Sequence, residues 1–390
     1  MPNVIIYILY LIQILIGYHL VFPLLLFVIH KFFRWPINKS SVGTTNDYGI
    51  IVTAYEQVNQ VPAVIDSLVK MNYENYIIYV VADNVADVSS IENLSPRVRV
   101  LRPPSVLKSN TKSHFFAIKH FDRPHTHITI IDSDNLVNKE YLNQLDVFFN
   151  QGFEAVQGVR NPKNLNTTYA CLDAARDIYY HFYDGKILFQ LGSSATLAGS
   201  GMAFTTQLYK DCLENKGVEG AGFDKVLQYQ ILRRNKRIAF TLDAEVLDEK
   251  TTQTQQLVNQ RARWINTWFK YFSYGFSLVG MGLKNMSWNQ FLFGLVLLRP
   301  PLFLFLLSGI VCLGINIFFV PWVALIWAGA FFAFAVGFML ALWSSNTPAV
   351  VYKSLKGIPL FMFYQVKSLL LARKANQISV ATKHFENTTH

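Results

Sequence analysis

Apolar residues crowd the two ends of the chain and thin out in the middle. From Val4 to Ile29 the sequence is nearly unbroken hydrocarbon, interrupted by Gln13, His19 and little else. A helix crosses a bilayer in about 20 residues, so this run predicts a membrane anchor. A cleavable leader would start basic, carry a shorter apolar core and end on small residues, and the run has none of these. Lys31, Arg34 and Lys39 follow it and nothing basic precedes it. By the positive-inside rule the N-terminus lies outside and the remainder faces the cytoplasm. A second apolar block, Phe291 to Trp343, is broken at Arg299-Pro300-Pro301 and at Pro321. Phe291 to Leu298 is too short to span and reads as an interfacial helix, whereas Leu302 to Val320 and Trp322 to Trp343 are each long enough. The uncharged link between the two spans predicts a tight hairpin on the far side of the bilayer. From Val350 to Lys374 the tail mixes Lys353, Lys356, Lys367, Arg373 and Lys374 with Leu, Phe and Met. That pattern fits an amphipathic helix on anionic lipid or an ordinary solvated helix.

Between the ends the period changes. Tyr48 to Ala54, Tyr76 to Ala82, Val98 to Leu101, His127 to Ile131 and Ala155 to Gly158 are short, β-branched apolar runs that predict strands. Val61 to Met71, Ser113 to His120 and Lys139 to Asn150 carry helical periodicity between them. This alternation predicts an open, mostly parallel α/β sheet, which binds ligands beyond the carboxyl ends of its strands. The expected organisation is an anchor with its basic flank over 1–44, an α/β domain over 45–286, and an interfacial helix, hairpin and tail over 287–390. No internal repeat or low-complexity segment is visible.

Composition narrows the class. Hydrophobic residues make up 52% and charged residues 15% of the 390, against about 25% charged in soluble domains. Disorder, a coiled coil and a nucleic-acid-binding arm are excluded. Lys+Arg 35 less Asp+Glu 25 leaves +10, which suits an anionic membrane surface or a phosphate-bearing ligand. Cys171, Cys212 and Cys312 lie far apart without metal-ligand spacing. No disulfide framework is expected, in keeping with a reducing cytoplasm.

The candidate chemistry sits at the predicted strand ends. The first strand runs into Thr53-Ala54-Tyr55-Glu56 and the second into Asp83-Asn84, with neither a G-x-G-x-x-G nor a P-loop after them. Asp83 could accept from a base or ribose, or cap a helix. The fourth strand leads straight into Asp132-Ser133-Asp134. Two carboxylates one residue apart at a buried strand tip can hold a hard divalent cation, whose remaining ligands are water and phosphate; a capped turn is the other reading. Later come Gly199-Ser200-Gly201-Met202, Gly222-Phe223-Asp224 and Gln260-Arg261-Ala262-Arg263-Trp264. On a helix Gln260, Arg263 and Trp264 share one face and present an amide, a guanidinium and an indole together, while Arg261 turns aside. A guanidinium matches phosphate oxygens and an indole can carry a sugar ring, although Arg and Trp also anchor helices at lipid interfaces.

Taken in order, these motifs resemble the membrane-bound family 2 glycosyltransferases, the group of the cellulose, chitin, hyaluronan and poly-N-acetylglucosamine synthases. The resemblance spans nearly the whole chain. It includes Val80 to Asn84, Lys112, Val156-Gln157-Gly158 with Arg160-Asn161-Pro162, and Val246 to Lys250, and its most specific run is Gln260 to Trp264. It implies a Rossmann-like GT-A domain framed by transmembrane helices. It further implies that Thr53, Tyr55, Glu56 and Asp83 cradle uracil and ribose, and that Lys112 contacts the nucleotide. Asp132, Ser133 and Asp134 would hold the nucleotide-sugar, with Asp132 and Asp134 on Mg²⁺ or Mn²⁺. Asp224 would be the catalytic base, Gly199, Ser200, Gly201 and Met202 would line the acceptor site, Trp264 would stack on the acceptor, and Gln260 with Arg263 would grip the pyrophosphate. The implied activity is inverting transfer from a UDP-sugar, UDP-GlcNAc or UDP-glucose, to a growing poly- or oligosaccharide at the cytoplasmic face of a plasma or bacterial inner membrane.

One position departs from the family. Phe223 stands where members commonly have Glu before the base, which removes a like charge that would raise the pKa of Asp224. Phe223 is also the feature that fits a catalytically silent nucleotide-sugar sensor or scaffold. Transfer of one sugar to a lipid acceptor is a further alternative. Three predicted spans are few for a polymer channel, so export calls for a partner subunit or a homo-oligomer; no nucleic-acid partner is expected.

Overall fold

The structure is a computed structural model and describes residues 2–34, 45–218 and 220–375. Lys39, the predicted boundary at residue 44 and the chain beyond 375 lie outside the described residues.

A long apolar helix, α1 (Pro2–Phe32), leads into the α/β domain. There β1 (Tyr48–Tyr55), α2 (Val61–Val69), β2 (Tyr76–Asp83), β3 (Val98–Leu101), α3 (Asn110–Lys119) and β4 (His127–Asp132) follow in turn. β1, β2 and β4 read as continuous apolar runs because both faces of a parallel sheet are covered, and almost every residue in them is buried. The chain continues through β5 (Leu136–Val137), α4 (Tyr141–Phe149) and β6 (Ala155–Pro162) to α5 (Thr168–Tyr180). A π-helical stretch, His181–Ile187, carries α5 on into the short α6 (Leu188–Gln190). Next come β7 (Met202–Thr205), α7 (Thr206–Leu213), α8 (Phe223–Arg233), β8 (Ala239–Asp248), α9 (Thr254–Tyr271), α10 (Tyr274–Lys284) and α11 (Trp288–Leu298). The chain ends in α12 (Leu302–Phe319), α13 (Pro321–Ser344), α14 (Ala349–Ser354) and α15 (Ile358–Leu371).

Among the described residues eight strands form one sheet in the order β3-β2-β1-β4-β7-β6-β8-β5. β1 pairs in parallel with both β2 and β4, so the chain reverses direction across the sheet at β1. A crevice opens there beyond the carboxyl ends, where Thr53 stands opposite Asp132 in register. The parallel half matches the sequence expectation to within a few residues. The other half brings three strands that the sequence pattern did not reveal, β5, β7 and β8, and with them antiparallel pairings of β7 with β4 and β6 and of β5 with β8. β7 begins inside the run read as an acceptor loop. Gly158 is required where β6 and β8 close up, since a Cβ there would come within 2.2 Å of the Ala244 carbonyl oxygen.

Among the described residues three helices are long and apolar enough to cross a membrane: Ile6–Phe32, Leu302–Phe319 and Pro321–Ser344. The turn between the last two is as tight as expected, with Val320 alone between α12 and α13. Gln13 on α1 ties them together, its Oε1 accepting from Asn316 Nδ2 at 2.7 Å and from Trp327 Nε1 at 2.9 Å. In hydrocarbon such side-chain hydrogen bonds hold spans in register.

Two C-terminal helices pack against the α/β domain. α11 covers the run expected as an interfacial helix. It forms an antiparallel hairpin with α10, with Gly275 against Gly294 and Gly282 against Phe291 at backbone contact, and it buries Leu292 and Phe293 in the main core. α15 lies within the run expected as an amphipathic tail helix. It packs along α9, burying Phe361, Gln365 and Ser368, while Leu360, Phe363 and Leu370 remain exposed. Asn266 Nδ2 of α9 donates to the Ala372 carbonyl at 2.8 Å and closes this strap.

Candidate functional site

A cavity of about 820 Å³ opens at the carboxyl ends of β1 and β4 and continues to the C-terminal helices. Thr53 and Tyr55 line it from the end of β1, and Asp132, Ser133 and Asp134 from the end of β4. The acidic turn is firmly held. The Asp132 amide donates to Ser200 Oγ at 3.0 Å, and the Asn135 amide donates to the Asp132 carbonyl at 3.1 Å. Asn135 is fully buried, and its Nδ2 donates to Asp134 Oδ1 at 3.0 Å and to Asp248 Oδ1 at 3.2 Å. Asp132 and Asp134 are half-buried carboxylates that also face the cavity. Two hard oxygen donors that leave coordination positions for water and a diphosphate suit Mg²⁺ or Mn²⁺. Among the described residues no group of three or more His, Cys, Asp or Glu is placed to hold a metal by itself.

Asp224 enters from the first turn of α8, where the helix N-terminus favours a negative side chain. Gly222, at φ +96°, precedes that turn, and a Cβ on it would come within 2.6 Å of the Thr267 methyl on α9. Only glycine lets α8 approach α9 this closely. Gly222→Ala should therefore displace Asp224 and reduce turnover with little change in donor binding, which separate kcat and KM measurements would show. Lys225 Nζ lies 3.0 Å from Asp224 Oδ2 and donates to the Leu197 carbonyl at 3.1 Å. Phe223 is 5% exposed and turns its ring edge-on to His114, at 5.1 Å. Burial pushes His114 down to about 3, so the pocket taken by the phenyl ring holds a neutral imidazole at physiological pH.

The floor of the cavity is a buried charge network. Lys250 Nζ bridges Asp177 Oδ2 at 2.5 Å and Asp248 Oδ2 at 2.7 Å, and Arg160 reaches Asp248 at 2.8 Å. Asp173 accepts from Arg176 at 3.1 Å and pairs with Arg261; Asp184 pairs with Arg299. Burial raises Asp248, but Arg160 and Lys250 outweigh it and hold the carboxyl below the usual range; Arg176 and Lys250 do the same for Asp177. Burial, opposed by Asp177, lowers His181 to about 4.

Of the residues singled out in the sequence, Thr53, Tyr55, Asp132, Ser133, Asp134, Gly199, Asp224, Gln260, Arg263 and Trp264 line this one cavity. The others do not. Asp83 is 3% exposed, and its two carboxylate oxygens accept from the Leu107 and Lys108 amides at 2.9 Å each, so it clamps a loop and caps no helix. Glu56, at φ 62°, is exposed at the same sheet edge, 3.4 Å from the Asn84 amide nitrogen. Lys112 is exposed in the first turn of α3, two residues beyond Asn110, which does line the cavity. Ser200 is buried beneath Asp132, and Gly201 and Met202 are sheet fabric.

Arg261 does not turn aside: it is 2% exposed, lines the cavity, and lies 4.0 Å over the Trp264 ring. Arg176 lies 4.3 Å over the same ring. The indole proposed as a sugar platform is therefore engaged by two guanidinium groups. The residues missed altogether come from α5 and its π extension: Arg176, Asp177, His181 and Asp184. Their signal was available, since the pairs 173 and 176, 173 and 177, 177 and 181, and 181 and 184 are three or four apart and put titratable side chains on one helical face.

Comparison with known proteins bears on the family and the fold. Residues 46–267 match the family model described as glycosyltransferase like family 2. Among curated protein sequences none matches this chain significantly. A mannosyltransferase from Pyrobaculum calidifontis, solved with GDP-Man and Mn²⁺, superposes with a TM-score of 0.54 at 14% identity, over 93% of this chain and 98% of the other. Residues 1–349 of S. aureus TarS, one of whose structures contains UDP-GlcNAc, give a TM-score of 0.42 at 15% identity, over 85% of this chain and 90% of the other. Because the family model spans the strands, the acidic turn, Asp224 and the Gln260 to Trp264 helix together, this chain belongs to glycosyltransferase family 2.

Proposed function

We propose that this chain is an inverting glycosyltransferase that moves a sugar from a UDP-sugar, UDP-GlcNAc or UDP-glucose, to a hydroxyl acceptor at the cytoplasmic membrane face, forming a β-linkage. The observation that carries the reading is the convergence of Asp132, Asp134, Asp224, Gln260 and Arg263 on one cavity. Asp132 and Asp134 would hold Mg²⁺ or Mn²⁺, which when bound offsets the charge of the departing nucleoside diphosphate. Thr53 and Tyr55 sit where the nucleoside would lie, and Gln260 with Arg263 reaches the pyrophosphate. Asp224 takes the proton from the incoming hydroxyl on the face of the sugar opposite the leaving group, which inverts the anomeric centre. Membranes given a panel of labelled nucleotide-sugars with Mg²⁺ or Mn²⁺, followed by linkage-specific glycosidases, test donor and linkage together; an α-linked product would refute the inversion.

Asn135 bears on the metal. It orients Asp134 from behind, and losing such a support lowers metal affinity or activity by about 10- to 100-fold in other sites. Asn135→Ala should shift Mn²⁺ binding by that factor in calorimetry with UDP present, and an unshifted isotherm would mean that Asp134 needs no such support. Repeated addition, with a partner subunit or oligomer for export, is the expectation from the synthase resemblance. A single purified chain that secreted long polymer into sealed vesicles would remove the need for a partner. Metal-dependent release of nucleoside diphosphate separates this enzyme from a silent nucleotide-sugar sensor.

A further inference from the structure

The cavity has two chemically different ends. One holds the acidic turn and Asp224. The other is walled by Phe303 and Leu306 of α12, Phe334 and Phe338 of α13, and Phe361 and Met362 of α15, with Gln365 a polar group among them. α12 and α13 are two of the helices long and apolar enough to cross a membrane, so the cavity runs from the sugar-transfer residues to the bilayer-spanning segment. A saccharide threaded along this second end would lose water from hydroxyls that aromatic and aliphatic walls cannot satisfy. A hydrocarbon chain meets no such penalty, and each methylene it buries is worth about fourfold in affinity.

Between the two ends lie unsatisfied donors. Arg261 is 2% exposed, yet its Nε and Nη1 have no hydrogen-bond partner, and buried Nε1 of Trp268 has none either. Both side chains line the cavity. Buried N–H groups are nearly always paired, so three such donors mark where oxygens of a bound molecule belong.

Resting on the transfer reading above, we propose that the acceptor is a lipid-linked molecule. Its hydrocarbon lies between α12, α13 and α15, its oxygen-bearing head group meets Arg261 and Trp268, and its hydroxyl reaches Asp224. The bond formed joins that hydroxyl oxygen to the anomeric carbon, the bond broken is the one from that carbon to the diphosphate oxygen, and Asp224 takes the proton.

The test uses the full chain in lipid nanodiscs with labelled UDP-glucose and UDP-GlcNAc, Mn²⁺, and alkyl β-glucosides from methyl to dodecyl as acceptors. The apparent KM should fall with each added methylene, by up to about fourfold per step, and labelled product should pass into butanol. Leu306→Trp and Met362→Trp, on different helices and each checked for folding by thermal unfolding, should flatten that slope. Trp268→Phe should raise KM for the long-chain acceptors by roughly 2- to 10-fold, the worth of one hydrogen bond. Equal use of methyl and dodecyl glucosides overturns the proposal. A slope unchanged in both Trp variants also overturns it, because the chains then partition into the bilayer and not into the cavity. Nucleoside diphosphate release with no transfer to any of these acceptors overturns the acceptor proposal and leaves the donor reading standing. No release with either donor refutes the UDP-sugar reading itself, and the acceptor proposal with it.

Discussion

Replacing Asp224 by asparagine is expected to slow sugar transfer by about a hundredfold to ten-thousandfold, the usual worth of a positioned general base. The change keeps the size of the side chain and its place in the first turn of α8, so Gly222 still seats that turn against Thr267 and Tyr271 of α9. What is lost is the ability to accept a proton. The effect should fall on kcat, with KM for the nucleotide-sugar near its original value, because the carboxylates proposed to hold the donor's metal come from a different element, the end of β4. Stopped-time assays of nucleoside diphosphate release and of product separate transfer from hydrolysis. Wild-type turnover in Asp224→Asn would remove Asp224 from the chemistry.

The second large effect is on stability. Asp173 accepts from Arg176 and Arg261 and is itself almost fully buried. Asp173→Ala leaves two guanidinium groups in the interior without their shared carboxylate. Breaking a buried pair from one side costs about 3–5 kcal/mol, because the remaining charge has been desolvated for nothing. Denaturant unfolding in detergent should show a loss of that size. Restoring neutrality with Asp173→Leu and Arg261→Met together should recover part of it, whereas a single variant as stable as the parent would show that water reaches the network.

The same network sets the acid limit of the fold. Asp177 and Asp248 have folded-state pKa values below their unfolded ones. A depressed carboxylate contributes stability that is complete above its unfolded pKa, about 3.9, and fades as pH falls towards the folded value. Stability should therefore drop progressively below about pH 4, with the steepest loss between the unfolded and folded pKa values, where the unfolded chain holds the protons and the folded acids do not. A flat unfolding midpoint down to pH 3 would contradict this.

The parts of the site legible in the sequence share a property: their neighbours in space are their neighbours in the chain. β1, β2 and β4 announced themselves because buried parallel strands need unbroken apolar runs, and the two aspartates after β4 stand out against such a run. Asp224 and the Gln260 to Trp264 segment were recognised as short motifs for the same reason. Other features depend on partners far along the chain. β7 is four residues long and exists because β4 and β6 flank it. Asp83 looked like a ligand or a cap, yet its amide partners lie 24 and 25 residues onward. Arg261 looked misdirected on an isolated helix, but burial of α9 against α5 placed Asp173 in front of it.

By itself the sequence determined the three apolar helices, the parallel half of the sheet and the acidic strand tip, because each follows from local periodicity and from the cost of leaving hydrocarbon in water. Tertiary structure alone decided that the charges of α5, β6, β8 and α9 meet as paired ions under the site, and that α12, α13 and α15 extend it in hydrocarbon. A buried charge is tolerable only beside its counter-charge, and which segments supply the pair is fixed when the helices pack, not by any one stretch of chain.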